Sequence, residues 1–214
     1  MTPLLIATTN PGKFREIGLL LHGLPLTLLS LTDLPPIAEP EEAAETFAGN
    51  ARLKAGEYAR ASGLVTVAED SGLVIDALGG APGIHSARYP GATYPDKFAR
   101  LHAALAAHPR PWTARYVCAL AVVDGREVNQ GNGRDVMPAP VAFETQATVE
   151  GEIWPEARGT HGFGYDPIFH YPAYGRTFGE VDDREKLAVA HRGKAFAELR
   201  RWLEAGGLRE TTQA

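Results

Sequence analysis

The spacing of apolar and polar residues at the start of the chain predicts a strand, a polar turn and a helix. A continuous apolar run over residues 3–8 is typical of a short buried strand. Asn10 and Pro11 then supply a helix N-cap and a proline in the first turn. The apolar spacing that follows predicts a helix to about Leu21.

The next two elements are predicted to be a second strand and a longer helix. Residues 26–31 form an apolar, β-rich run, and the proline-containing stretch over residues 32–40 predicts a loop. Apolar positions then recur three and four residues apart between Phe47 and Ala59, which predicts a helix that ends at Gly63.

The middle of the chain is richer in predicted strands than its start. The further predicted strands cover residues 64–68, 73–78, 115–124 and 141–149. The further predicted helices cover residues 96–107 and 183–205, with Gly193 as a break in the second. Residues 125–138 are glycine-rich and polar, and we expect an exposed, mobile hairpin connection there.

This order of elements predicts an α/β protein with a mixed sheet rather than a doubly wound parallel one. At roughly 150 residues per domain, a length of 214 residues indicates one large domain or two lobes that share a core. There is no internal repeat and no linker long enough to divide the chain.

Composition and charge narrow the classes of function. The net charge is −5, from 21 basic and 26 acidic residues, so there is no global positive field for a nucleic-acid backbone. The single cysteine, Cys118, excludes an internal disulfide and a four-cysteine zinc site. Neither a basic leader nor an apolar stretch of membrane-spanning length is present, so we expect a cytoplasmic protein without a membrane partner.

The polar turn between the first strand and helix is a candidate phosphate site. Free N–H groups, the helix dipole and one ammonium group could hold phosphates there. An ordinary N-capped turn is the alternative explanation. The residues of this loop are Thr8, Thr9, Asn10, Pro11, Gly12 and Lys13.

Four carboxylates near predicted loops or strand ends form a candidate site for Mg²⁺. Magnesium prefers hard oxygen ligands and completes its octahedron with water and substrate phosphates. A solvated acidic loop is the alternative for the glutamates. The four residues are Glu41, Glu42, Glu69 and Asp70.

Two later segments could bind a planar base and a phosphate. The string GFGYDPIF at residues 162–169 combines glycines that permit close backbone approach, aromatic rings that could stack on a base, and Asp166 before a proline. Lys186, His191 and Arg192 could face one side of the last helix and donate hydrogen bonds. A glycine turn with core aromatics and a basic helix face in water are the alternatives.

Taken together, these segments resemble the Ham1 or RdgB family of non-canonical purine nucleoside triphosphate pyrophosphatases, also called inosine triphosphate pyrophosphatases. The resemblance covers nearly the whole chain. It is carried by the strings IATTNPGK (6–13), NARLKA (50–55), EDSGL (69–73), LGGAPGI (78–84), SARY (86–89), GFGYDPIF (162–169) and HRGK (191–194).

The resemblance implies hydrolysis of ITP, dITP and XTP to the monophosphate and pyrophosphate with Mg²⁺, by a cytosolic homodimer. It implies a single domain over residues 1–214, whose two lobes enclose a nucleotide cleft over a long mixed sheet flanked by helices. Asp70 would bind magnesium and act as general base, and Glu41 would be the second metal ligand. The substrate-binding residues would be Thr8 to Lys13, Ser71, Phe163, Gly164, Tyr165, Asp166, Lys186, His191 and Arg192.

The chain departs from the family pattern at several positions. The usual EETG is EEAA at residues 41–44, which leaves Glu41, Glu42 and Glu69 open as the second metal ligand. Glu69 replaces an aspartate, His85 stands where tyrosine is usual, and residues 125–138 form a longer segment than the family has.

Three other functions stay open at this point. One is a related Maf-like nucleotide pyrophosphatase with another base specificity, although residues 162–169 and His191-Arg192 favour the purine family. The second is a non-catalytic nucleotide sensor, which would bind without turnover. The third is a nucleic-acid-binding module, which the net charge disfavours.

Overall fold

The computed structural model describes residues 1–128 and 139–208, and its strands form one mixed sheet in the order β2-β1-β3-β4-β5-β6-β7. The strands are β1 (Thr2–Ile6), β2 (Leu26–Ser30), β3 (Val65–Ile75), β4 (Thr113–Asp124), β5 (Val141–Ile153), β6 (Phe169–Tyr171) and β7 (Arg176–Thr177). β1 pairs in parallel with β2 and β3, whereas β6 pairs antiparallel with β5 and β7. The predicted α/β fold with a mixed sheet is confirmed.

Some helices begin or end where local sequence signals place them. The helices are α1 (Pro11–Leu20), α2 (Phe47–Ser62), α3 (Tyr94–Leu105), α4 (Gly125–Val128), α5 (Asp183–Val189) and α6 (His191–Glu204). At the start of α2, the Thr46 hydroxyl accepts from the N–H of Gly49 at 3.0 Å, and Gly63 ends that helix with φ of 68°. None of the helices in the described ranges has the length and hydropathy needed to cross a bilayer.

The chain divides into two compact units. The first comprises Met1–Asp70, Ala119–Gln146 and Ala195–Ala214. Its core is rich in alanine: Ala51, Ala55 and Ala59, spaced by one helical turn on α2, are buried in one cluster with Leu5 of β1 and Val123 of β4. Such small side chains let a helix pack close to a sheet.

The second unit comprises Ser71–Cys118 and Ala147–Lys194. Its core contains larger, aromatic side chains. Tyr116 belongs to this core, and its ring centroid lies 4.5 Å from that of Phe169 and 6.3 Å from that of Phe178. The aromatic groups discussed below therefore belong to a densely packed interior.

The predicted break between two strands at residues 69–72 is wrong. Strand β3 runs without interruption from Val65 to Ile75 and passes from the first unit to the second between Asp70 and Ser71. Charged side chains are tolerated inside this strand because Glu69 and Asp70 are each paired with a lysine, which offsets the cost of burying a carboxylate.

The predicted helix over residues 183–205 is two helices, and its break is at Ala190 rather than at Gly193. Ala190 has an extended backbone with ψ of 157°, and α6 begins directly after it. Gly193 lies inside α6, where a Cβ would be 1.8 Å from the carbonyl oxygen of Leu187. The glycine therefore allows the close approach of α5 and α6 rather than breaking a helix.

The glycine-rich segment over residues 125–138 is described only at its start. Gly125–Val128 form the short helix α4 rather than part of an extended hairpin connection. The rest of that prediction falls on residues 129–138, which lie outside the described residues.

Candidate active site

The loop from Thr8 to Lys13 is an N-capped strand-to-helix turn, as predicted. The Asn10 side-chain oxygen accepts from the N–H groups of Gly12 at 2.9 Å and Lys13 at 3.2 Å. The Asn10 N–H donates to the Thr8 hydroxyl at 3.1 Å, and Pro11 is the first residue of α1. Asn10 therefore fixes the loop on both of its sides, and Thr9 at its tip is exposed.

The side chain of Lys13 extends toward strand β3, which carries Glu69 and Asp70. Its ammonium nitrogen is 3.1 Å from Glu69 Oε1, and the Glu69 side chain is almost completely buried. The positive charge of the candidate phosphate loop thus lies next to the residue that precedes Asp70.

Asp70 is held by two residues of helix α2. Lys54 Nζ lies 2.9 Å from Asp70 Oδ1, and the Asn50 amide donates to Asp70 Oδ2 at 3.3 Å. Neither Asn50 nor Lys54 was singled out as a site residue in the sequence, although they stand four residues apart and so share one face of a helix. That spacing in the NARLKA string is the signal that could have identified them.

Lys54 also contacts one of the two neighbouring glutamates. Its Nζ is 2.9 Å from Glu42 Oε1, so a single ammonium group lies between Glu42 and Asp70. Burial lowers the pKa of Lys54, but the charges of Asp70 and Glu42 and the hydrogen bonds to both outweigh burial and raise this pKa. Lys54 is therefore a fixed positive charge at neutral pH.

Glu41 is placed differently from Glu42. Its side chain is exposed, and its carbonyl oxygen accepts from the N–H of Ala43 at 3.0 Å. Of the two glutamates, Glu42 is the one that shares a cation with Asp70. The assignment of Glu41 as a metal ligand stays a prediction.

The donor set around Lys54 fits a magnesium ion. Two carboxylates already converge on one positive charge, and Mg²⁺ commonly uses only one or two carboxylates together with water and phosphate oxygens. Across residues 1–128 and 139–208, no group of three or more His, Cys, Asp or Glu side chains is arranged to hold a metal. A magnesium ion held by two carboxylates would take its remaining ligands from water and phosphate oxygens.

In the second unit, the glycine-rich loop positions Asp166. Its Oδ2 accepts from the N–H of Phe163 at 2.8 Å and from Lys186 Nζ at 2.6 Å. Gly162 has φ of 70°, and a Cβ there would lie 2.1 Å from Asp166 Oδ2. Both the backbone conformation and the space thus require glycine at this position.

Two buried cations flank Phe163. Lys186 Nζ is 4.8 Å and the Arg192 guanidinium carbon 5.5 Å from the centre of its ring. Arg192 also donates to the Ser71 hydroxyl at 3.1 Å. The prediction that Lys186 and Arg192 face one side of a single helix is wrong, because Lys186 belongs to α5 and Arg192 to α6. Both cations nevertheless lie at the ring of Phe163.

His191 and Tyr165 occupy more enclosed positions. The His191 ring stacks on Tyr116 at 4.7 Å with 15° between the planes. The Tyr165 hydroxyl donates to the carbonyl of Ser86 at 2.8 Å, and its ring meets Tyr94 edge-on. Tyr165 is thus part of the core of the second unit. The predicted contacts of Tyr165 and Gly164 with substrate stay predictions.

Tyr116 is a polar residue of this cluster that the sequence did not reveal. Its hydroxyl donates to Asp166 Oδ1 at 3.3 Å. Burial first, and then the negative charge of Asp166, raise the pKa of Tyr116 well above its ordinary value. In the sequence it is one aromatic residue of a buried strand, and nothing in that pattern marks its hydroxyl.

The two groups of charges have complementary chemistry. In the first unit, Lys13 pairs with Glu69, and Lys54 pairs with Glu42 and Asp70. Paired carboxylates and ammonium groups of this kind suit a metal-bound phosphate chain. The second unit places cations, a carboxylate and a half-buried aromatic ring together, which suits the edge and face of a base. Asp70 of the first group and Ser71 of the second are consecutive residues. Each unit thus supplies charges of the kind that one part of a nucleotide requires.

Comparison with known proteins gives the family. The model of the Ham1 family matches residues 4–202. A dITP/XTP pyrophosphatase of Syntrophobacter fumaroxidans is 43% identical over 211 residues, covering 94% of this chain and 85% of the relative. One of Geobacillus kaustophilus is 39% identical and covers all of both chains. The chain belongs to the Ham1 family.

Solved structures agree with this membership. A HAM1 protein of Coxiella burnetii has a TM-score of 0.80 at 37% identity, covering 96% of this chain and 100% of the other. A nucleoside-triphosphatase, dITP/XTP pyrophosphatase, of Mycobacterium abscessus has a TM-score of 0.70 at 35% identity, covering 92% and 98%. The predicted family resemblance is confirmed.

Proposed function

We propose that this protein hydrolyses the non-canonical purine nucleoside triphosphates dITP, ITP and XTP to the nucleoside monophosphate and pyrophosphate. The observation that carries the proposal is the position of Asp70, which shares the Lys54 ammonium with Glu42 and directly precedes Ser71, the partner of Arg192. Membership in the Ham1 family and the names of its relatives support the same reaction.

The phosphate end of the substrate is assigned to the first unit. Lys13 and Lys54 are ammonium groups next to carboxylates, and each can exchange its carboxylate partner for a phosphate oxygen. They would neutralise the charge that develops on the departing pyrophosphate. The Thr8 to Lys13 loop adds the N-terminus of α1, whose dipole favours an anion.

Asp70 is assigned to the attacking water. Its carboxylate is fixed from both sides by Asn50 and Lys54, so it can hold a water molecule in line with the α-phosphorus. The water oxygen forms the new bond to the α-phosphorus, the bond to pyrophosphate breaks, and the water proton moves toward an Asp70 oxygen. Orientation of the water is the larger part of this role, since a carboxylate paired with a cation is a weak base.

The proposal includes Mg²⁺, with Asp70 and either Glu42 or Glu41 as the carboxylates that would hold it. When bound, the metal supplies charge neutralisation on the phosphate oxygens. The contact between Glu42 and Lys54 supports Glu42 as the second carboxylate, whereas the family pattern supports Glu41. The effects of Glu41→Gln and Glu42→Gln on the magnesium concentration required for half-maximal rate distinguish the two.

The base end is assigned to the second unit. Hypoxanthine and xanthine carry an oxygen at C6, where adenine carries an amine. A site rich in hydrogen-bond donors binds a base with this oxygen more tightly than one with the amine. Lys186 and Arg192 are such donors, and Phe163 offers a ring on which the base could stack. A buried polar site can discriminate between such bases by about 10⁴.

The homodimer and the cytoplasmic location belong to the proposal as predictions from the family resemblance and the single cysteine. Light scattering on the purified protein tests the dimer, for which about 46 kDa is expected from twice the 23.0 kDa chain.

A product assay tests the proposed function. The protein is incubated with dITP, ITP, XTP, dATP, dGTP and dCTP, with and without Mg²⁺, and monophosphate, pyrophosphate and orthophosphate are measured. The proposal predicts equal amounts of monophosphate and pyrophosphate from dITP, ITP and XTP only. Binding without turnover would indicate a sensor, and preferred turnover of a pyrimidine would indicate another base specificity.

A further inference from the structure

Tyr116 links the interior of the second unit to the residues assigned to the base. Its hydroxyl donates to Asp166 Oδ1, while Asp166 Oδ2 accepts from Lys186 and from the Phe163 N–H. Both oxygens of this buried carboxylate are thus bound by donors, which fixes the plane of the carboxylate.

The ring of Tyr116 cannot move easily. It lies between Phe169, Phe178 and the stacked ring of His191. A hydroxyl on such a ring is a donor of fixed position, and it stays protonated because the pKa of Tyr116 is well above its ordinary value. The direction of the donor is therefore set by the core of the second unit.

We infer that Tyr116 is a positioning residue for base recognition, which acts through Asp166 to hold the Lys186 ammonium group in place for the purine. This inference rests on the proposed function, in which Lys186 faces the base. Lys186 Nζ lies 2.6 Å from Asp166 Oδ2, the shortest of the contacts that join Tyr116, Asp166 and Lys186. A change in the orientation of the Asp166 carboxylate would therefore move the Lys186 ammonium group.

Removal of the hydroxyl alone tests this role. Tyr116→Phe keeps the ring and its packing, and it takes away one donor from a buried carboxylate. We expect KM for dITP to rise by about tenfold, because a hydrogen bond to a charged group is lost, with kcat within about twofold. The preference for dITP over dATP should fall by a similar factor, because a Lys186 ammonium group that is no longer held in place forms a weaker hydrogen bond to the C6 oxygen.

Tyr174→Phe is the matched control. Its hydroxyl donates at 3.3 Å, the same distance as that of Tyr116, but to the backbone carbonyl of Glu185. This variant loses an equally long hydrogen bond in the same unit without touching Asp166. It should keep the wild-type KM and base preference.

Kinetics and thermal unfolding together decide the outcome. A raised KM and a reduced base preference in Tyr116→Phe only, with both variants folded, support the inference. If wild type turns over dITP and Tyr116→Phe matches it in KM and preference, the inference is wrong and the proposed function stands. If wild type releases no pyrophosphate from dITP, ITP or XTP, the proposed function is wrong and the inference fails with it.

Discussion

At the scale of single residues, the candidate site is defined by pairs of opposite charge. In three pairs, a lysine Nζ lies within 3.1 Å of a carboxylate oxygen. These pairs are Lys13 with Glu69, Lys54 with Asp70, and Lys186 with Asp166. Buried pairs of this kind contribute little net stability, but removal of one partner leaves a costly unpaired charge. The proposed function gives these three pairs a role in binding and chemistry.

Asp70→Asn tests the role of the central carboxylate. The amide keeps the shape of the side chain but cannot take a proton, and it is a poorer ligand for a cation. We expect kcat to fall by at least about a hundredfold with the fold intact. Steady-state kinetics and circular dichroism provide the measurements.

Asp76→Asn is the control for that substitution. Asp76 follows the same strand, is exposed, and binds Arg115 at 2.7 Å. It should retain wild-type turnover. Near-normal turnover in Asp70→Asn would remove Asp70 from the mechanism.

The sequence indicated some of these residues and missed others for a physical reason. Asp70 carries a charge that stands out in an apolar run, and Lys186 was singled out by its spacing from His191 and Arg192, so both could be predicted as candidates. Asn50, Lys54 and Tyr116 fit the ordinary pattern of a helix face or a strand, and their roles arise only from side chains brought together over distances of 16 to 50 residues along the chain. No local pattern encodes such a contact.

At the scale of elements, helix ends place the polar groups. Asn10 lies in the turn after β1 and caps the N-terminus of α1, and this junction was predictable because Asn and Pro have strong positional preferences. β6 and β7, of three and two residues, were not predicted because they are too short to show a period. The break at Ala190 was missed because alanine carries no stop signal.

Asn10→Ala tests whether the cap of α1 serves both folding and binding. We expect a loss of about 1 kcal/mol in the free energy of unfolding, because two N–H groups lose their acceptor. KM for the triphosphate should rise by about tenfold, since the loop from Thr8 to Lys13 is no longer fixed. Urea denaturation and initial-rate kinetics measure the two effects.

Thr93→Ala separates these effects. The Thr93 hydroxyl caps α3 in the same way, accepting from the N–H of Asp96. This variant should lose a similar amount of stability, with KM unchanged. An equal change of KM in both variants would show that the effect of Asn10 on binding is only a loss of general stability.

At the scale of the whole molecule, the two compact units have different interiors, alanine-rich in the first and aromatic in the second. The mixed sheet was predictable from the alternation of strands and helices. The division of β3 between the two units could not be predicted, because a strand that passes from one core to another shows the same apolar pattern in each core.

The aromatic interior predicts a loss of stability at alkaline pH. Burial raises the pKa values of Tyr116 and Tyr165 above the ordinary value near 10, with the charge of Asp166 adding to the first and the neighbouring Tyr94 to the second. Above about pH 10 the unfolded chain therefore releases protons that the folded protein keeps, so the free energy of unfolding falls as pH rises.

Urea denaturation at about pH 8 and about pH 11 measures this dependence. The wild-type protein should be less stable at the higher pH. A Tyr116→Phe/Tyr165→Phe double variant should show a smaller decline, because two of the responsible protons are gone. An equal decline in both proteins would assign the effect to other groups.

The attack of water at the α-phosphorus is the central claim, and hydrolysis of dITP in ¹⁸O-labelled water tests it most directly. Mass spectrometry of the products locates the label. The proposed roles of Asp70, Lys13 and Lys54 predict one ¹⁸O atom in dIMP and none in pyrophosphate. Label in pyrophosphate, or formation of dIDP and orthophosphate, would contradict the account.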